Sequence, residues 1–340
     1  MGAVCDLFDR PQVRTSSMTR ASGLLRCCAA GRGELKYVIE PVWNRGHCIS
    51  GAVKNITDND IHCYERDGAV VIRGVLDAEV FRLLERGVEE TYQAPNGRST
   101  ILDGADGRGR TVVRDYASLA SPSLRALLAG GVIGRIGATL LRTSAAHLIL
   151  DQIFYKTRGP IVPTPWHQDT PFLRVRGDSL VRLWFPCDYS PPEITVQVVR
   201  GSHRWNVVYN SDVNTAMTPS AGTHANRPVV GDACLPQPPD VRRYRDSFDV
   251  LSWEVAPGDV LAFQGNMLHG ADGHPGYDRP RRALAVLLGG PDLRYHTPSA
   301  KAFPSPGRMQ GALAKDDIPD GAPIGDYETA FPTCWRADAH

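Results

Sequence analysis

The chain has 340 residues, 42% of them hydrophobic and 22% charged, with a formal net charge of +1. Such values suit a globular protein with a sizeable core, and the near-zero charge gives no support for a nucleic-acid or acidic-membrane partner. Eight scattered cysteines without a CxxC pair argue against a zinc ribbon or a dense disulfide framework and suit a reducing, cytoplasmic setting. No apolar run approaches the length of a bilayer span.

Residues 1–55 show no clean periodicity and read as an N-terminal extension. Its first part, 1–36, carries Arg10, Arg14, Arg20, Arg26, Arg32 and Lys36 against Asp6, Asp9 and Glu34, a weak likeness to an organelle transit peptide. A disordered extension, or a true start at Met18, is the preferred reading. Order is expected over 56–300. Thr57-Asp58 can cap a helix running to Asp67, with Gly68 as its stop, and Ala69–Arg73 reads as a strand. Asp77 caps a second helix whose Val80, Leu83, Leu84 and Val88 share one face. Residues 94–110, rich in glycine and polar groups, read as a loop, and 122–141 as a helix interrupted at Gly130-Gly131.

From His147 onward the pattern changes to short β-branched and aromatic runs separated by Pro and Gly clusters. Candidate strands are 147–156, 180–189, 194–200, 248–255, 259–263 and 281–288. Helices followed by many short strands predict a mainly β fold, a sandwich or barrel with helices packed outside it. The long, weakly patterned stretch 204–247 reads as a lid insertion, and 301–340 as a C-terminal tail.

The chemistry concentrates in Trp166-His167-Gln168-Asp169, answered far downstream by His269 and then Arg281. Two imidazoles and one carboxylate are the set that holds a non-haem Fe(II) on one face and leaves the other open. Residues two apart on a strand or its end point the same way, so His167 and Asp169 can aim at one metal while Gln168 faces away. His269 must then arrive from another strand, which a folded-over sheet provides. Arg281 opens the run RRALAVLL, whose alternation lets only one of Arg281 and Arg282 face a barrel interior. A guanidinium there can grip the carboxylate of a dicarboxylate co-substrate.

Taken together, PWHQD, the RGSHRW segment at Arg200–Trp205, PGDVLAF…LHG, RRALAV and the earlier DGAVVIRGVLD resemble the phytanoyl-CoA dioxygenase family over roughly residues 57–297. The resemblance implies a double-stranded β-helix (a cupin-like jelly roll) with flanking helices, and a dioxygenase using Fe(II), 2-oxoglutarate and O₂. It implies His167, Asp169 and His269 as iron ligands and Arg281 on the distal carboxylate of 2-oxoglutarate. Trp184 is expected to line the co-substrate pocket, with Gln152 and Lys156 as polar contacts to co-substrate or substrate. Asp169 keeps the carboxylate that related halogenases replace, so hydroxylation or a related oxidation is expected. The sequence departs from the family pattern at Ala271, where a hydroxyl residue is frequent, and at Pro191–Thr195, which replaces an Asn-Gly turn.

Each residue also has a plainer reading. An HxD tripeptide alone is commonly an ordinary turn, His203 reads as part of a structural turn, and Trp184, Trp205 and Trp253 suit barrel packing equally well. Arg242-Arg243-Tyr244-Arg245 reads as a solvated lid segment, although it, like Arg174, Arg176 and Arg182, could meet an anionic substrate. The expected activity is oxidation of a small organic molecule, a secondary-metabolite intermediate in preference to an acyl-CoA. The rivals are a catalytically silent barrel that binds a ligand and a metal hydrolase on the same scaffold.

Overall fold

The computed structural model describes residues 56–95, 99–102 (backbone path only), 110–210, 234–297 and 318–337. The readings made for 1–55, for the middle of the 204–247 stretch and for 298–317 lie outside the described residues.

Thr57 caps α1 (Asp58–Asp67) through a reciprocal pair: its hydroxyl accepts from the Asp60 N–H, and the Asp60 carboxylate accepts from the Thr57 N–H. Gly68, at φ 85°, ends the helix in the left-handed region and leads into β1 (Ala69–Ile72). Asp77 accepts from the N–H groups of Glu79 and Val80 at the start of α2 (Ala78–Gln93), whose Val80, Leu84 and Val88 are buried. The stretch read as a loop contains one strand, β2 (Ser99–Leu102), which pairs with β3 (Thr111–Asp115) just beyond it. The glycine-rich sequence between the two short runs of strand formers dominates the local composition. Three short helices follow, α3 (Ala117–Ala120), α4 (Pro122–Ala129) and α5 (Val132–Leu141), the last two parted by Gly131 at φ 83°.

The remaining strands are β4 (Ala145–Lys156), β5 (Thr164–His167), β6 (Val175–Arg176), β7 (Leu180–Pro186), β8 (Gln197–Val199), β9 (Val250–Leu251), β10 (Val260–Gln264), β11 (His269–Ala271), β12 (Arg281–Gly289), β13 (Arg294–Tyr295) and β14 (Thr333–Arg336). One sheet runs β1-β10-β7-β12-β4-β3-β2, with β14 also on β4, and a second runs β5-β11-β8-β9. A small ribbon pairs β6 with β13. Every pairing is antiparallel, and from β4 to β12 the chain passes back and forth between the two sheets. That is the double-stranded β-helix, or jelly roll, with flanking helices.

The period of two sorts the side chains of the large sheet. Val181, Leu183, Phe185, Leu284 and Val286 point outward onto α2, α4 and α5. Trp184, Leu261, Phe263, Ala283 and Ala285 point inward, against Val198 and Met267 from the side of the small sheet. The helix pair α4–α5 is apolar because it covers the sheet; among the described residues no single helix is long and apolar enough to cross a membrane.

Residues 318–337 fall in the stretch read as a tail, yet they pack into the domain. β14 extends the large sheet along the start of β4, with Phe331 and Cys334 buried. The α5 helix lies so close to this strand that a Cβ on Gly134 would come within 2.7 Å of the Cys334 backbone carbon. Gly134→Ala is therefore expected to lower stability by roughly 1–3 kcal/mol. Gly276→Ala, where the nearest atom lies 3.6 Å away, serves as a neutral control in the same urea titration.

Candidate active site

The antiparallel pairing of β11 with β5 sets His269 directly across from His167. Their ring centroids lie 4.2 Å apart. Gly270 allows this close approach: a Cβ there would meet the Thr164 carbonyl oxygen and the Trp166 ring at 3.1 Å. Asp169 follows β5 at the entrance to a short 3-10 turn, which brings its Oδ1 to 3.8 Å from the Nε2 of both histidines. The three potential ligand atoms all lie within 4.8 Å of one another.

Backbone carbonyls orient the imidazoles. His167 Nδ1 donates to Pro165 O at 2.7 Å and His269 Nδ1 to Met267 O at 3.0 Å. A carbonyl can only accept, so the proton sits on Nδ1 and the Nε2 lone pairs are left for the site. Burial pushes both imidazole pKa values down, that of His269 to about 3. Burial opposes the charge on Asp169, but Arg182 and the two histidines outweigh it and hold the carboxyl below its ordinary range. Two neutral imidazoles and one carboxylate are the protonation states that a divalent metal requires. The donor set fits Fe(II).

Gln168 turns away from the triad, as its parity requires. Its amide donates to Val207 O and Asn266 O and accepts from the Tyr209 N–H, tying the start of the 204–247 stretch to the β10–β11 turn.

Arg281 and Arg282 part as the alternation predicts. Arg282 faces outward, with two nitrogens on the Asp188 carboxylate and one on Glu85. Arg281 faces inward with its guanidinium carbon 5.5 Å from the Trp184 ring centre, and it makes no hydrogen bond or ion pair among the described residues. Burial draws its pKa down to about 10, so it remains charged at neutral pH. The residue is half-buried, and its Nε is shielded from water without a partner; such a group is costly unless an anion joins it, and a carboxylate of 2-oxoglutarate fits that requirement. Trp184, 3% exposed, is at once barrel core and the ring beneath this cation.

Lys156 lies directly across the ladder from Arg281, its ammonium donating to Arg279 O and standing 5.1 Å from the Tyr277 ring centre. Gln152 has both ends of its amide engaged, donating to Asp115 Oδ1 at 2.7 Å and accepting from Arg182 Nη2. His203 is outside the triad, held beneath Gly68. Arg242 and Arg245 both pair with Asp272, and Arg245 also reaches Gln197. Arg176 bonds His296, and Arg174 meets the Tyr295 hydroxyl.

The residue that the sequence reading undervalued is Arg182. It is buried inside the barrel with Nε 3.8 Å from Asp169 Oδ2. The signal was available: Arg182 has the same strand parity as Trp184. A cavity of about 630 Å³ is lined by Thr170, the chain neighbour of Asp169, but by none of the triad residues themselves. Its other walls include Asn206, Val208, Leu235 and Asn266, so both described ends of the 204–247 stretch border it.

Residues 64–283 match the family model described as phytanoyl-CoA dioxygenase. No curated protein matches the chain at a significant level. Among solved structures, the α-ketoglutarate-dependent epimerase SnoN from nogalamycin biosynthesis shares 20% identity at a TM-score of 0.59, over 82% of this chain and 98% of its own. The carbocyclase SnoK from the same biosynthesis shares 20% identity at a TM-score of 0.57, over 83% and 98%. EctD from S. alaskensis shares 16% identity at a TM-score of 0.55, over 84% and 90%. These likenesses establish the fold.

The depressed histidines make metal-free stability pH-dependent. Unfolded histidines take up protons below about pH 6.5, whereas buried His167 and His269 do not, so the unfolded state gains protons first and stability falls as pH falls. For His269 the loss should continue toward pH 3, at up to about 1.4 kcal/mol per pH unit for one fully linked group. Urea midpoints of the metal-free protein from pH 7.5 to 5 are expected to decline from near 6.5; a flat profile would contradict the burial of neutral imidazoles.

Proposed function

The chain belongs to the phytanoyl-CoA dioxygenase family, and from that premise we propose that His167, Asp169 and His269 hold Fe(II) while Arg281 binds the distal carboxylate of 2-oxoglutarate. The protein is an Fe(II)- and 2-oxoglutarate-dependent dioxygenase acting on a small organic molecule. Held by the triad, Fe(II) with 2-oxoglutarate and O₂ would supply the oxidising power.

The protein's own part is binding, orientation and exclusion of water. The backbone acceptors at Pro165 and Met267 hold the imidazoles in one tautomer. Trp184 supports the guanidinium of Arg281, and Lys156 adds a second positive charge across the ladder. Leu261, Phe263, Ala283 and Ala285 give the interior an apolar wall. The observation that carries the reading is a half-buried Arg281 whose shielded Nε has no partner, inside the barrel that also assembles two histidines and an aspartate.

For the substrate we propose a secondary-metabolite intermediate. SnoN has been crystallised with Fe3+, α-ketoglutarate and nogalamycin RO, and EctD with 2-oxoglutarate and 5-hydroxyectoine. The cavity of about 630 Å³ beside Thr170 suits a molecule of moderate size, and its border with the 204–247 stretch makes that stretch the place where choice of substrate is set.

The test is O₂-dependent succinate formation from 2-oxoglutarate with added Fe(II). His167→Ala and His269→Ala are expected to abolish it. Arg281→Ala should raise the 2-oxoglutarate KM about tenfold to a hundredfold, the value of a charge-assisted pair. Arg282→Ala should leave that KM unchanged, since its partners lie on the outer face. The reverse pattern at the two arginines would refute the assignment.

A further inference from the structure

We propose that Arg182 is a positioning residue for the metal-binding carboxylate: it draws one oxygen of Asp169 to itself and so presents the other to the two histidines. The proposal rests on the metal reading above and assigns a role to a side chain outside the ligand set.

Arg182 stands on β7 with Phe263 and Leu287 as its cross-strand neighbours, and only 5% of it is exposed. A guanidinium between two apolar side chains is retained at a desolvation cost that only nearby acceptors can offset. Two acceptors are present. Nη2 donates to Gln152 Oε1, and Nε stands 3.8 Å from Asp169 Oδ2. Gln152 is fixed in turn by its bond to Asp115 on the neighbouring strand. A chain of four side chains, Asp115–Gln152–Arg182–Asp169, thus runs from β3 to the triad.

The two oxygens of Asp169 are not equivalent within it. Oδ1 lies 3.8 Å from both histidine Nε2 atoms, whereas Oδ2 faces Arg182 and has no hydrogen-bond partner. Among the described residues, Arg182 is the one Lys or Arg paired with this carboxylate. The charge of Asp169 is retained inside the barrel largely on that account, since burial alone would favour the neutral acid. Nη1 of Arg182 is buried without a partner, so its geometry is set by Gln152 and Asp169. A lysine could supply the charge but could not serve both acceptors through a planar fork.

The experiment compares wild type, Arg182→Met, Arg182→Lys and Gln152→Leu by anaerobic Co(II) titration, read from the visible ligand-field spectrum. Thermal melts confirm folding, and 2-oxoglutarate KM is measured at saturating Fe(II). Arg182→Met is expected to weaken Co(II) binding about tenfold to a hundredfold and to alter the spectrum of the bound ion, as loss of a group that orients a ligand does. Arg182→Lys should recover part of the affinity, and Gln152→Leu should lose less in the same direction. Should Arg182→Met fail to fold, the ordering wild type > Gln152→Leu, with Arg182→Lys also impaired, carries the test. A folded Arg182→Met with wild-type affinity and spectrum overturns the proposal, as does a raised 2-oxoglutarate KM with metal binding intact, which would make Arg182 a co-substrate contact. Failure of the metal reading looks different: His269→Ala would then bind Co(II) as wild type does.

Discussion

His269 and His167 meet because two very short strands, β11 and β5, form an antiparallel ladder in register. Everything chemical in this protein follows from that pairing. A slip of one residue would turn an imidazole to the other face of the small sheet. Gly270 allows the strands to approach, and the carbonyls of Pro165 and Met267 fix the rings once they are there. The rest of the double-stranded β-helix serves to hold these two strands against a large sheet whose inward face supplies the other groups.

That inward face is apolar apart from a few placed charges, and the charges divide by partner. Arg182 is set against Asp169, so one cation and one anion balance beside the triad. Arg281 has no such balance; it lies over Trp184 with only aromatic support. Stability alone would not select an uncompensated guanidinium in a barrel, because a hydrophobic residue of similar volume would fill the space without the desolvation cost. Its presence is understandable as preparation for an anionic co-substrate, whose carboxylate completes the pair on binding. The contrast with Arg282, one residue on and saturated by Asp188 and Glu85, shows how a strand's alternation assigns two identical side chains to different tasks.

Much of this was legible in the sequence because each signal was local and strongly patterned. The α1 cap at Thr57, the Gly68 stop, the face of α2 and the break at Gly130-Gly131 are encoded within a few residues of where they act. The parity of RRALAVLL required Arg281 and Arg282 to part, and the family resemblance named Arg281 as the inward one before any fold was in view. Other features depended on partners distant in the chain. The pairing of β2 with β3 is held by β4 and was obscured by the glycine-rich sequence between the two strands. Strand β14 exists because the start of β4 has an open edge, which nothing in the sequence near Thr333 announces. Strands β8 and β9 are shorter than their β-branched runs, since pairing in the small sheet ends before the pattern does. Arg182 lay between these cases: its parity with Trp184 was plain, but the carboxylate that gives it meaning arrives from β5.

The most direct test of the central claim is a crystal structure of the protein loaded anaerobically with Fe(II) and 2-oxoglutarate, with the metal located by its anomalous scattering. The account places one anomalous peak among His167 Nε2, His269 Nε2 and Asp169 Oδ1, with the distal carboxylate of 2-oxoglutarate on the guanidinium of Arg281. A peak elsewhere, or a keto acid whose carboxylate leaves Arg281 unpaired, would contradict it.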